Sequence, residues 1–162
     1  MITVPSIAST LAIFHEPGAV FEIRTPKTLR AGTVSGYFSD AGVAAVAIAK
    51  WDGKAPGVYM TLNPVNPDLM ARAPNCLVER AKDTTSDKDI THRRWLLIDV
   101  DYELPTGISA TNAQLQDSAR VARAVRESLT IEGWPDGIMA HSGNGGHLFY
   151  HVDLPNDVAS RD

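Results

Sequence analysis

The stretch Trp95-Leu96-Leu97-Ile98-Asp99-Val100-Asp101 decides how the rest of the chain is read. Five of its first six residues are apolar, as in a strand buried on both faces, yet it closes on two carboxylates. Side chains alternate along a strand, so Asp99 and Asp101 point to the same side, about 6 to 7 Å apart. Burying like charges side by side is expensive, and a cation between them offsets that cost. A hard cation, Mg²⁺ or Mn²⁺, suits oxygen ligands and keeps positions open for a substrate phosphate. The competing reading ends the strand at Ile98 and leaves both acids solvated, with Pro105 and Gly107 just beyond.

The 162 residues suit one domain or two small lobes, and 44% apolar content is enough for a core. That composition excludes a disordered chain. A net charge of −4 excludes a blanket electrostatic grip on nucleic acid, so any polyanion must be held locally. The single cysteine, Cys76, excludes an intramolecular disulfide and a Cys-based zinc site. The apolar run Ile7 to Phe14 lacks a preceding basic residue, so it is a poor secretory signal, and the expectation is a cytoplasmic protein with no membrane span.

Outward from the central stretch, Ile7, Leu11 and Phe14 at helical spacing, ended by Pro17 and Gly18, predict a short helix. Ala19 to Arg24 reads as a strand, followed by a polar loop holding Thr25, Pro26, Lys27 and Arg30. Asp40 or Ser39 can cap a helix reaching Trp51. Gly57 to Leu62 reads as a strand that ends in the rigid elbow Asn63 to Pro67. Lys82 to Asp89 is polar, lacks apolar periodicity and reads as a mobile loop, with Lys88, Arg93 and Arg94 able to reach a triphosphate. Thr111 with Gln114 forms a capping-box signal for a helix to about Leu129, whose buried stripe is Leu115, Ala119, Ala122, Val125 and Leu129. Arg120, Arg123 and Arg126 lie off that stripe, where they could meet a nucleic-acid backbone.

Gly137 to His141 and His147 to Asp153 read as two strands joined by Ser142-Gly143-Asn144-Gly145-Gly146. Such a loop can offer backbone N–H groups to an anion, with Ser142 and Asn144 adding side-chain donors, although hairpins also use Asn-Gly turns. His147, where the loop re-enters a strand, can donate to a phosphate oxygen; His141 and His151 are equally available by residue type.

An apolar strand ending in Asp-x-Asp, then a helix, then a serine and glycine loop leading into a histidine strand resembles the archaeo-eukaryotic primase superfamily. The likeness is to the primase-polymerase domains of phages, plasmids and other mobile elements. It extends over GVYMTLNP (Gly57 to Pro64), RRWLLIDVD (Arg93 to Asp101), GISATNAQ (Gly107 to Gln114) and SGNGGHLFYHVDLPND (Ser142 to Asp157). The resemblance implies that Asp99 and Asp101 ligate Mg²⁺ or Mn²⁺ and that His147, with Ser142, Gly143, Asn144 and Gly145, binds the nucleotide. It implies a DNA primase/polymerase joining NTP or dNTP on a single-stranded DNA template, with a replicative helicase as a further partner. It also implies an α/β (α+β) fold: a mixed sheet flanked by helices, an RNA-recognition-type core over 93–162 and an N-terminal α/β part over 1–92.

The chain departs from the family's simplest Ser-x-His motif, because Gly145 stands two before His147 and Ser142 five before. The family's third acid follows the histidine strand. Here only Asp153, Asp157 and Asp162 follow, and Asp153 lies roughly 20 Å along an extended strand, so the third ligand is expected beyond residue 162 and the catalytic module incomplete. Two alternatives stay open: a glycosyltransferase using Asp-x-Asp to hold Mn²⁺ and a sugar nucleotide, and a non-catalytic nucleotide- or nucleic-acid-binding lobe.

Overall fold

Two three-stranded antiparallel sheets and their helices give an α+β fold in the computed structural model, which describes residues 3–105 and 108–160. The strands divide between two sheets instead of forming one mixed sheet. Gly107 and Asp162, both singled out above, lie outside the described residues. The chain divides into two compact units, Met1–Arg94 with Leu154–Asp162, and Trp95–Asp153.

In the first unit the sheet order is β2-β1-β3, with β1 at Phe21–Thr28, β2 at Gly32–Phe38 and β3 at Tyr59–Met60. β1 runs on through the expected loop at Thr25 and Pro26. The register slips between Thr25 and Thr28, an irregularity that accommodates a proline with no N–H to give the ladder. Helices α1 (Val4–Phe14) and α2 (Ala41–Ala49) cover the sheet, capped by Thr3 and Asp40. Leu11, Phe21, Ile23, Phe38 and Ala44 form their shared core. The apolar run that made a poor signal peptide is therefore a packed helix, and among the described residues no helix is long and apolar enough to cross a membrane.

A fully buried carboxylate organises this unit. Glu22 on β1 receives the Arg24 guanidinium on both oxygens, at 3.1 and 2.6 Å, the Ser35 hydroxyl from β2, and the Thr85 amide at 3.0 Å. Thr85 belongs to the stretch expected to be mobile. The structure instead ties that stretch down: Asp89 accepts from the Ser86 amide and hydroxyl, and Asn156 donates to the carbonyls of Asp87 and Ile90. Polarity without periodicity reflected satisfied hydrogen bonds here. Burial alone raises the Glu22 pKa, but the donors from Arg24, Ser35 and Thr85 outweigh it and hold the carboxyl below its ordinary value. The stability this gives is present above the unfolded value of 4.5 and is lost as pH falls through the lower folded value.

The other sheet, most of which lies in the second unit, has the order β4-β6-β5, with β4 at His92–Asp101, β5 at Ile138–His141 and β6 at Gly145–Pro155. Helix α3 (Asn112–Ile131) starts on the expected capping box of Thr111 and Gln114. It lays Ala122, Val125 and Leu129 against Ile98, Val100, Leu148 and Tyr150. Gly146 approaches so closely that a Cβ would stand 3.2 Å from the Ala122 methyl, and Gly137 packs under the Tyr150 ring.

His15, at the end of α1, is buried, stacks on Phe21 at a 4.1 Å ring separation, and has neither ring nitrogen hydrogen-bonded. Burial first, and the Arg94 guanidinium second, push its pKa down to about 4 from 6.5. The unfolded chain therefore binds this proton first, and stability falls as pH drops from 6.5 towards 4, by on the order of 3 kcal/mol in total. His15→Phe keeps the stack and removes this dependence. Hydrogen exchange of the β1 amides should show the variant gaining about 2 to 3 kcal/mol on wild type between pH 7 and 4.5; an unchanged difference would refute the assignment.

Candidate functional site

The apolar run Trp95 to Ile98 is not buried on both faces. Leu96 and Leu97 are 40% and 41% exposed, because β4 is an edge strand and α3 covers one side of the sheet. Ile98 and Val100 point into the core; Asp99 and Asp101, one residue out of phase, point the other way and are exposed. The strand continues through both acids, as expected, but they sit in water. Desolvation therefore does not demand a cation between them, contrary to the expectation from burial.

Each acid instead has a partner from the β5–β6 hairpin. β6 lies directly beside β4, which brings His147 Nε2 to 3.2 Å from Asp99 Oδ1. The ring also meets Phe149 edge to face at 5.6 Å. Two residues along, the Ser142 hydroxyl donates to Asp101 Oδ1 at 3.3 Å. The three hairpin histidines, indistinguishable by type, thus take different places: His141 Nδ1 accepts the Gly143 amide, and His151 lies edge-on to Trp95.

The glycine loop is spent differently from a phosphate cradle. Its Asn144 and Gly145 amides donate to Ser142 Oγ at 3.2 and 2.8 Å, and the Gly143 amide goes to His141. Asn144 Oδ1 accepts the Ala110 amide. Of the loop glycines, Gly143 supplies a left-handed turn at φ +97°, while Gly145 allows contact: a Cβ there would fall 2.0 Å from Asp101 Oδ1 and 2.2 Å from the Val100 carbonyl oxygen. The expectation of free loop amides is corrected, since in this conformation these three have acceptors within the hairpin.

Four of the six cations expected to meet phosphates are also engaged. Arg93 donates to Asn156 and the Ser160 carbonyl, Arg94 pairs with Glu16, Arg120 with Asp117 and Arg126 with Asp136. Sequence reading passed over the Glu22, Arg24, Ser35 and Thr85 network; a glutamate and an arginine two apart on a predicted strand was the available signal.

For a divalent cation, Asp99 and Asp101 offer two oxygen donors on one open face, the kind of set that Mg²⁺ or Mn²⁺ completes with phosphate and water. Among the described residues no group of three or more His, Cys, Asp or Glu side chains is gathered as a metal cage. The fit is therefore to a cation shared with a phosphorylated ligand, not to one enclosed by protein.

Because Asp99 is half exposed, its pair with His147 should be weak. A double-mutant cycle of Asp99→Asn and His147→Gln should give a coupling below about 1 kcal/mol at low salt, fading in 1 M NaCl; a larger, salt-independent coupling would mean that the pair is structural. No known protein family, curated protein or solved structure matches the chain.

Proposed function

We propose that the chain is a nucleotidyltransferase of the primase-polymerase type, joining NTP or dNTP on a single-stranded DNA template. The observation that carries this reading is the meeting of His147 Nε2 on β6 with Asp99 Oδ1 on β4 at 3.2 Å, on the sheet face that also carries Asp101. An imidazole donor next to two carboxylates suits a metal-bound polyphosphate, with positive and negative groups each matched.

In this reading Asp99 and Asp101 would hold Mg²⁺ or Mn²⁺, which when bound would supply charge neutralisation at the α-phosphate and a lowered pKa for the attacking 3′-hydroxyl. His147 turns its Nε2 proton from Asp99 to a non-bridging phosphate oxygen. Fixed placement of these groups supplies rate through orientation and electrostatic complementarity. The two-acid set favours a second reading, a nucleotide-binding lobe without catalysis, since no third acid is gathered among the described residues.

Calorimetric titration of dGTP in Mn²⁺ should show binding that weakens at least about 10-fold in Asp99→Ala/Asp101→Ala, in line with loss of metal ligands. Equal binding by both proteins would sink the site. Incorporation of labelled nucleotide on a single-stranded template then separates the two readings: binding without incorporation supports the lobe.

A further inference from the structure

Ser142 is the residue whose expected role differs most from its geometry. As a phosphate ligand it would turn its hydroxyl outwards. Instead Oγ accepts the Asn144 and Gly145 amides and donates its one proton to Asp101 Oδ1. A hydroxyl has one proton to give and two lone pairs to receive, so these three bonds use its whole capacity. From the other side, Gly145 is buried with its α-carbon against the carboxylate and the Val100 carbonyl, where no side chain fits. Asp101 is thus held between a donor and a wall.

We propose, building on the nucleotidyl-transfer reading, that Ser142 is a positioning residue for Asp101: it orients the carboxylate for the cation and does not bind the nucleotide. The loop's role is then to lock one acid of the pair, while the other, Asp99, stays beside His147. Exposed carboxylates rotate freely unless something holds them, and partners that orient metal ligands typically change affinity by 10-fold or more. Gly145 completes the device by allowing the approach that the hydroxyl needs.

The test uses the whole chain as wild type, Ser142→Ala and Ser142→Thr, with Gly145→Ala as a second way of displacing the carboxylate. Mn²⁺ alone, titrated by electron paramagnetic resonance, should bind about 10-fold more weakly to Ser142→Ala and Gly145→Ala, and normally to Ser142→Thr, which keeps the hydroxyl. Metal-free dGTP binding in EDTA should not change in Ser142→Ala. Weakened metal-free dGTP binding with unchanged Mn²⁺ affinity would make Ser142 a phosphate ligand and overturn the proposal. The metal-free ¹³Cγ resonance of Asp101 keeps the two ideas apart: it should shift in Ser142→Ala and return in Ser142→Thr. If wild type binds no Mn²⁺, the nucleotidyl-transfer reading falls and this resonance alone decides the positioning role; an unmoved resonance refutes it.

Discussion

The second unit depends on the sheet face that helix α3 covers. Helix α3 buries Ile98 and Val100 from β4 together with Leu148 and Tyr150 from β6. Because strand side chains alternate, that burial turns Asp99, Asp101 and His147 to the opposite, open side. A one-residue slip of β4 would put both acids in the core, where unpaired charge costs several kcal/mol. The packing of the apolar side chains therefore sets the register of the polar ones. The site is a consequence of the core.

Much of this was legible beforehand. The Thr111 and Gln114 capping box and the Ala122, Val125 and Leu129 part of the α3 stripe follow from spacing alone, because each is a local pattern with one geometric outcome. Depth of burial was not legible. An apolar run such as Trp95 to Ile98 looks the same in a central strand and in an edge strand, and only the sheet order distinguishes them. β2 was hidden for a related reason: Gly32, Ser35 and Gly36 dilute its pattern, yet Gly36 is needed where the Cys76 carbonyl passes 1.8 Å from where its Cβ would be. Long-range hydrogen bonds were illegible altogether. Glu22 reaches Thr85 across 63 positions, and that bond orders a stretch whose composition reads as mobile.

The same distinction governs the loop Ser142 to Gly146. Composition gives a supply of amides, glycines and a hydroxyl, which suits either an anion nest or a tight turn. The loop folds as the turn: Ser142 Oγ takes two amides, His141 takes a third, and two glycines serve close contacts with Asp101 and Ala122. What reaches solvent beside the acids is the His147 imidazole. In the proposed chemistry, recognition of phosphate then falls on that ring and on the cation more than on the loop backbone.

In the proposed function a metal-bound polyphosphate sits over Asp99, Asp101 and His147. Paramagnetic broadening in ¹⁵N-resolved spectra, with Mn²⁺ and a non-hydrolysable nucleoside triphosphate added, tests it most directly. Broadening should centre on residues 98–101 and 142–147 and be lost in Asp99→Ala/Asp101→Ala. Broadening centred instead on another acidic stretch, such as residues 83–89, or left intact in that variant, would contradict it.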